Sequence, residues 1–259
     1  MKEYLIDHIY GREYEVRYDD IDRNNELKAV SVLNYLEDAA LAHSAYLKYP
    51  LERLLKDKNV WILTQWAMEM KRYPSFGERF TVETWAYDFS RFRATRNYRL
   101  KDEDGCIIGG LSSKWIFFDL SQRKPAKTSE EMKQDYGMNQ TRALSYEPDE
   151  LNFNGVMDSV ETLEVRRSDI DLMNHVNNKR FIEWMIEAVP ENVYQSRKVR
   201  RMEIAYLKEA HFGSPVLSAC ASVENADPEA VYFHRINSIN GETVHAIGKT
   251  YWVNTDDIK

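Results

Sequence analysis

The sequence predicts an α+β protein that contains one structural unit twice. Residues 14–22 read YEVRYDDID and residues 163–171 read LEVRRSDID, which agree at six of nine positions. Each copy is followed by an apolar pattern near helical spacing and then by segments that alternate apolar and polar residues. A sheet with one apolar face must bury that face, and each unit offers one long helix. We therefore expect each unit to be an antiparallel sheet wrapped around one long central helix.

The composition of the chain fits a globular protein of this class. Of its 259 residues, 43% are apolar and 30% are charged, which argues against disorder and against a coiled coil. Aromatic residues make up 12%, with ten glycines and seven prolines, a balance that favours long strands. The net charge of −7 argues against chain-wide binding of nucleic acid. Two cysteines exclude a disulfide framework and a four-cysteine zinc site.

The first unit is predicted to hold one helix followed by strands. The helix, over 31–48, follows from apolar residues near 3.6-residue spacing, namely Val32, Leu33, Leu36, Ala39, Ala40 and Leu47. Strands are predicted over 78–88, 92–100 and 106–119. The acidic, glycine-ended segment 102–105 is predicted to turn the chain between the last two.

The second unit repeats this order. Its helix pattern consists of Phe181, Ile182, Trp184, Met185, Ala188 and Val189. Strands are predicted over 199–208, 214–224, 229–238 and 243–254. The pair Asn240-Gly241 is a strong hairpin signal between the last two strands.

These patterns divide the chain into three parts. Residues 1–135 form the N-terminal unit, with a short helix around 129–135 at its end. Residues 136–158 are polar and weakly periodic, and they are predicted to be a linker. Residues 159–259 form the C-terminal unit. Two such units can pair edge to edge, which leaves a monomer that is a pseudo-dimer and a homodimer both open.

Nothing in the sequence indicates a membrane span or an export signal. No apolar run approaches the ~20 residues that cross a bilayer. The N-terminus carries an acid at Glu3 and lacks a sustained apolar core, so it resembles neither a secretory signal nor a transit peptide. We expect a cytoplasmic protein with reduced thiols.

The two copies differ directly after the shared Asp-Ile-Asp. The second copy supplies a histidine there, His175, four residues after Asp171, and the first copy does not. Three amide side chains lie in the same stretch, at Asn174, Asn177 and Asn178, just before the predicted helix. Asn177 or Asn178 can cap that helix, whose N-terminus offers free N–H groups and a partial positive charge suited to an oxyanion.

Two interpretations of this cluster remain open on spacing alone. Acids and amides before helices are commonly caps, and a lone histidine is commonly structural. The alternative is a catalytic site. The sequence contains no Gly-x-Ser-x-Gly elbow, Walker loop, Gly-x-Gly-x-x-Gly or His-Glu-x-x-His, which removes support for serine hydrolase, phosphoryl-transfer, Rossmann and zincin chemistry.

The segment 171–178, DLMNHVNN, followed by a helix with Trp184, resembles the acyl-acyl-carrier-protein thioesterases of bacteria and plant plastids. The first unit supports this with an ordered series of similar motifs. They are Trp61 to Thr64, Arg72-Tyr73-Pro74, Glu83-Thr84-Trp85, Ser112 to Trp115 and Arg123-Lys124-Pro125. The resemblance covers roughly residues 4–254.

The resemblance implies a tandem, or double, hotdog fold and hydrolysis of fatty acyl-acyl carrier protein to free fatty acid. It implies that catalysis belongs to the C-terminal unit, with Asp171, His175 and Glu209 as catalytic residues. This sequence departs from the plant pattern at Met173, where an Asn is usual, and at Ala210, where a Cys is frequent. A nucleophilic cysteine is therefore unavailable beside Glu209.

The mechanism that follows from the resemblance needs neither metal nor cofactor. A thioester is already activated, so a positioned water and a base suffice. We expect Glu209 and His175 to activate the water and Asp171 to orient His175 or to act as base or nucleophile itself. Backbone N–H groups near Val176, Asn177 and Asn178 are expected to stabilise the oxyanion, with Asn174 as a possible positioning group.

Two further sets of residues are expected to bind the substrate, one contacting the acyl chain and the other the carrier protein. The acyl chain is expected to lie in the N-terminal unit, walled by Trp61, Leu63, Trp66 and Met68. Acyl carrier protein is an acidic partner, and a basic cluster in the C-terminal unit is a candidate docking patch, comprising Arg197, Lys198, Arg200 and Arg201. Lys71-Arg72 is a second candidate.

Three other activities share parts of this pattern. A coenzyme A thioesterase uses the same bond, a 3-hydroxyacyl dehydratase uses the same fold with a histidine and an acid, and an acyl-binding sensor needs only the pocket. The retained Asp171, His175 and Glu209 argue against a sensor, which needs none of them.

Overall fold

The computed structural model describes residues 2–148, 150–153, 155–223 and 229–258. The chain separates into two compact units, one ending at Glu147 and the other beginning at Pro148. This division falls inside the predicted linker 136–158. The first part of that stretch packs on the N-terminal unit, because Thr141 O accepts hydrogen bonds from Trp85 Nε1 at 3.0 Å and Asn97 Nδ2 at 3.2 Å.

The N-terminal unit is an antiparallel sheet with one long helix. Its elements are β1 (Glu3–Ile6), β2 (Ile9–Glu15), α1 (Ala29–Tyr46), α2 (Leu51–Lys56), β3 (Asn59–Met70), β4 (Arg79–Phe89), β5 (Arg93–Asp102), β6 (Ile107–Asp119), β7 (Lys124–Pro125) and α3 (Glu130–Tyr136). The strand order is β1-β2-β4-β5-β6-β3, and β7 pairs with β6. The predicted helices and strands of this unit appear within three residues of their expected bounds.

The C-terminal unit repeats the plan with a shorter helix. Its elements are β8 (Ser159–Leu163), α4 (Asn178–Glu187), α5 (Glu191–Ser196), β9 (Arg197–Tyr206), β10 (Val216–Val223), β11 (Ala230–Ser238) and β12 (Val244–Asn254). The strand order is β9-β12-β11-β10-β8. The expected end of the second of these strands, at residue 224, lies outside the described residues. Gly241, at φ +74°, forms the predicted turn between β11 and β12.

The repeated motif is less extended than its alternating residues suggest. In the first copy β2 ends at Glu15 and a 3₁₀ turn follows over Tyr18–Asp20. The second copy has a 3₁₀ turn over Arg167–Asp169. There the buried Asp169 accepts a hydrogen bond from the Arg166 N–H at 2.7 Å, which favours the turn over a strand.

Both central helices bury aromatic side chains, and the second helix is also hydrogen-bonded to a strand of its sheet. On α1, Tyr35 packs edge-on against Tyr14 and Phe80, at ring distances of 5.3 and 5.1 Å. On β10, Ser218 Oγ donates to Trp184 O at 2.7 Å and Cys220 Sγ donates to Ala188 O at 2.8 Å. These bonds connect β10 to the C-terminal end of α4.

None of the helices in the described ranges is both long and apolar enough to cross a membrane.

Candidate active site

The loop before α4 is a compact turn built around Asp171. Its N–H donates to His175 O at 2.8 Å, and its Oδ1 accepts the N–H groups of Met173 at 2.8 Å and His175 at 3.3 Å. Asn174 has φ +61°, a left-handed conformation that asparagine tolerates better than most residues. The Asp171 carboxylate therefore acts on the backbone of this loop, and it makes no hydrogen bond with the His175 imidazole in the described structure.

The first copy of the motif forms the same loop. Asp22 N–H donates to Glu26 O at 2.8 Å, and Asp22 Oδ1 accepts the N–H groups of Asn24 at 2.8 Å and Glu26 at 3.2 Å. Asn25, the counterpart of Asn174, has φ +63°. The turn is therefore a property of the repeat, and Glu26 occupies the position that His175 holds in the second copy.

A single backbone hydrogen bond joins this loop to the segment after β9. The N–H of Val176 donates to Ala210 O at 2.9 Å, and the side chains of both residues are buried. The neighbours of these two residues, His175 on one segment and Glu209 on the other, therefore lie next to each other. In the first copy Leu27 N–H donates to Pro74 O at 2.9 Å in the same way.

His175 and Glu209 form a direct pair. His175 Nε2 lies 2.6 Å from Glu209 Oε2, and 36% and 49% of the two side chains are exposed. This distance is that of a short, charge-assisted hydrogen bond. The pair is open to solvent, so a water molecule or substrate can reach it.

The N-terminal unit lacks this pair because other residues occupy its positions. Tyr73, the residue before Pro74, stands where Glu209 stands in the second copy, and Glu26 stands where His175 does. Tyr73 is buried, and burial together with the nearby carboxylates of Glu26 and Asp22 raises the pKa of its phenol. The N-terminal unit thus has a buried tyrosine and a carboxylate where the C-terminal unit has a solvent-accessible acid–base pair.

The structure narrows the expected oxyanion donors. The Val176 N–H is occupied by Ala210 O, and the Asn177 N–H donates to Asp169 O at 2.8 Å, so neither is free for substrate. Asn177 caps α4 through its side chain, which accepts the Lys179 N–H at 3.0 Å. Asn178 is the first residue of α4, and its N–H has no partner in the described part of the chain. Asn174 contributes its left-handed backbone to the loop.

A residue that sequence reasoning missed lies beside the pair. The imidazole of His211 is 5.0 Å from that of His175, ring centre to ring centre, in an edge-on arrangement. Donor atoms of His175, Glu209 and His211 all lie within 4.8 Å of one another, so these three side chains can hold a metal ion. The sequence shows Glu209 and His211 two residues apart, which is a possible signal for a shared site. It does not show that His175, 34 residues before Glu209, lies beside them.

The four residues expected to line the acyl-chain pocket lie on one face of the sheet, and they are Trp61, Leu63, Trp66 and Met68. Their uneven spacing is accommodated by a bulge between Leu63 and Gln65, which shifts the alternation by one residue. Across the bulge the residues pair with alternate positions of β6, at Phe117, Trp115, Ser113 and Leu111. Trp66 and Met68 are fully buried, and Trp61 contacts Phe117 at a ring distance of 4.9 Å.

The expected docking patch on β9 is largely engaged within the fold. Lys198 is buried, Arg197 donates to Trp252 O at 3.2 Å, and Arg201 pairs with Glu229 at 2.7 Å. Arg200 is half-buried and has further interactions of its own. A strand alternates its faces, so a run of basic letters does not produce a basic surface.

In the second candidate patch only one residue is engaged: Arg72 pairs with Glu78 at 2.6 Å and with Asp102 at 3.4 Å, whereas Lys71 is exposed. The two carboxylates raise the pKa of Arg72 above its ordinary value.

The loop geometry predicts how substitutions at Asp171 affect stability. Asp171→Ala removes two backbone hydrogen bonds and should lower the free energy of unfolding by about 1–3 kcal/mol. Asp171→Asn keeps an oxygen acceptor and should lower it by less than about 1 kcal/mol. Urea denaturation followed by circular dichroism measures both.

Asp22→Ala and Asp22→Asn are matched controls in the first copy and should show the same difference. If both Asp171 variants lose the same stability, the carboxylate does not act as a turn acceptor.

Comparison with known proteins agrees with this geometry. Residues 7–136 match the acyl-ACP thioesterase N-terminal domain and residues 156–254 match the acyl-ACP thioesterase C-terminal domain. Oleoyl-acyl carrier protein thioesterase 1 of Arabidopsis thaliana is 23% identical over 77% of this chain. Dodecanoyl-[acyl-carrier-protein] hydrolase of Cinnamomum camphora is 24% identical over 94% of it. The chain spans about 60% of the length of the Arabidopsis relative.

Solved structures show the same fold over nearly all of the chain. An acyl-ACP thioesterase from Bacteroides thetaiotaomicron, 27% identical, superposes with a TM-score of 0.84 and coverage of 95% of this chain and 98% of that one. The 12:0-ACP thioesterase from Umbellularia californica, 20% identical, gives a TM-score of 0.82 with 96% and 95% covered. The predicted tandem hotdog fold is confirmed. The domain matches, which together span both units, show that the chain belongs to the acyl-ACP thioesterase family.

Proposed function

We propose that this chain hydrolyses the thioester of a fatty acyl chain carried on acyl carrier protein and releases the free fatty acid. The observation that carries the proposal is the His175–Glu209 contact of 2.6 Å, held on two joined loops of the C-terminal unit. Membership of the family supplies the substrate class. The N-terminal unit, with Glu26 and Tyr73 at the same positions, serves binding in this proposal.

Water is the nucleophile in the proposed mechanism. The His175 Nε2–H donates to one oxygen of Glu209 and orients the carboxylate, whose other oxygen has no partner in the described structure. That oxygen takes the proton from a water molecule as the water attacks the thioester carbonyl. The tetrahedral intermediate then collapses, the C–S bond breaks, and the thiolate of the carrier takes the proton back from Glu209, which leaves the free fatty acid. A positioned base of this kind typically contributes 10²–10⁴-fold to the rate.

Asp171 supplies a second carboxylate near the reacting group. Its Oδ1 is used by the loop, whereas its Oδ2 has no partner among the described residues. This oxygen is available to align the water or the thioester. The role is separable from the turn, because asparagine can form the turn but carries no charge.

The Asn178 N–H is the proposed donor to the developing oxyanion. It is at the N-terminus of α4, where the helix dipole adds a partial positive charge. A donor that strengthens its bond as charge develops lowers the barrier.

The partner in this proposal is acyl carrier protein, met in a reducing compartment such as the cytoplasm. Two free thiols support such a compartment. Exposed basic residues border the site at Arg166, Arg167 and Lys208, and they are better placed than β9 to meet an acidic domain. Arg167 also lies over the ring of the exposed Phe212, at 4.8 Å. A monomer and a homodimer both remain compatible with this contact.

The acyl chain is proposed to lie on the face of β3 that carries Trp61, Leu63, Trp66 and Met68. Alignment of these side chains on one face, with Trp66 and Met68 buried and Trp61 and Leu63 half-buried, supports the assignment. Each buried methylene contributes about 0.8 kcal/mol, so the depth of this apolar region sets the preferred chain length.

Substitution of the three acid–base residues tests the proposed function. Glu209→Gln, His175→Ala and Asp171→Asn should each lower kcat on acyl-acyl carrier protein by about 100-fold or more, because each removes proton transfer or its alignment. Fatty acid release measures the effect. The matched control is Glu26→Gln in the first copy, which should stay within about 2-fold of wild type.

Wild-type kcat in all three variants would overturn the assignment. A comparable loss in Glu26→Gln would also count against it, since that result would place chemistry in the N-terminal unit.

Asn178→Pro tests the oxyanion donor. Proline at the first helical position removes the N–H and leaves the helix intact. The preceding residue, Asn177, already has φ −59° and ψ 134°, which a following proline requires. We expect kcat to fall by about 10²–10³-fold, as for loss of one oxyanion donor.

Asn178→Ala is the control, since it keeps the N–H, and it should retain most of the activity. Equal activity of the proline and alanine variants would exclude this N–H from the mechanism.

A further inference from the structure

Three side chains that can each bind a metal ion lie close together on the surface of the C-terminal unit. The donor atoms of His175, Glu209 and His211 lie within 4.8 Å of one another. Three ligands bound to one zinc ion at 2.0–2.1 Å lie about 3.3 Å apart. To reach this spacing the His175–Glu209 pair, at 2.6 Å, has to open slightly, and any wider separation has to close by at most roughly 1.5 Å. Rotation of the side chains allows both changes, because His175 is half-exposed and Glu209 and His211 are exposed.

The backbone beneath these side chains is already in place. Val176 and Ala210 are buried and joined by the 2.9 Å hydrogen bond. Neighbouring side chains in an extended segment point to opposite sides. Burial of Val176 and Ala210 therefore turns His175, Glu209 and His211 outward together. The ordering of the two segments does not depend on the metal, so binding does not have to organise the backbone.

The donor set selects the kind of metal. Two imidazole nitrogens and one carboxylate oxygen, with room for water at the open position, form a zinc-type set, whereas magnesium and calcium prefer oxygen ligands alone. The imidazole of His211 makes no hydrogen bond to any described residue, so it is free to bind. In the first copy the corresponding residues are Glu26, Tyr73 and Ser75, which supply no imidazole.

We propose that His175, Glu209 and His211 form a binding site for one zinc ion per chain and that zinc bound there inhibits hydrolysis reversibly. Zinc on His175 Nε2 and on Glu209 replaces the hydrogen bond between them and occupies the carboxylate that takes the proton from water. The inhibitory half rests on the proposed function. The binding half rests on the geometry of the three donors alone.

Titration of the metal-free full chain with Zn²⁺, followed by calorimetry without substrate, tests binding. We expect one site per chain in the wild type, and at least 10-fold weaker binding in His211→Ala. Co²⁺ serves as a spectroscopic probe, and its visible bands should appear with the wild type and be absent with His211→Ala. The control is His8→Ala, which removes an exposed histidine of the N-terminal unit and should bind like the wild type.

The effect on hydrolysis is measured on the same proteins. His211→Ala should keep its metal-free activity and resist inhibition, whereas wild type and His8→Ala should be inhibited by Zn²⁺ and recover with a chelator. Equal zinc binding by wild type and His211→Ala overturns the site. Zinc binding at the site without inhibition overturns the inhibitory role. If the wild type hydrolyses no acyl thioester, the proposed function fails, while the titration still decides the metal site.

Discussion

The hydrogen bond from the Val176 N–H to Ala210 O is the constraint on which the candidate site depends. Residues 175 and 209 are far apart in sequence, and each lies on an exposed loop. The bond, at 2.9 Å between two buried residues, holds the loops against each other and places their neighbours side by side. Without it the 2.6 Å contact between His175 and Glu209 would cost the ordering of two loops as well as two side chains.

The first copy has the same backbone hydrogen bond but no His–Glu pair. The backbone arrangement is therefore shared by both copies, whereas the acid–base residues belong to the second copy alone. In the first copy Leu27 and Pro74 join the corresponding loops, and Asp22 forms the corresponding turn. A duplicated scaffold can keep its backbone bonds while its exposed positions change. Two differences, Glu26 against His175 and Tyr73 against Glu209, thus decide which copy carries the acid–base pair.

Much of the fold could be predicted from the sequence, because it depends on local patterns. The repeat, both central helices, the Asn240-Gly241 turn and most strands follow from periodicity. The contact of His175 with Glu209 was expected through the family resemblance, since spacing alone left a structural histidine open. The hydrogen bonds of the Val176 and Asn177 N–H groups could not be predicted, because the carbonyls that accept them are placed by the tertiary fold.

The surroundings of the basic run on β9 could not be predicted for a similar reason. Charge in a sequence does not reveal which face of a strand is covered, and Lys198 is buried there. His211 was missed because its proximity to His175 follows from loop pairing between distant segments. The sequence alone thus did not reveal which side chains are buried or which distant segments pair with each other.

Release of fatty acid from a graded series of acyl-acyl carrier proteins, measured alongside the matched coenzyme A thioesters, decides whether the proposed function is correct. The proposed function predicts catalytic release of free fatty acid from the carrier-linked series, with a preferred chain length and a higher kcat/KM than on the coenzyme A thioester of the same length. Absence of release from every carrier-linked substrate by folded protein, or a clear preference for coenzyme A thioesters, would contradict it.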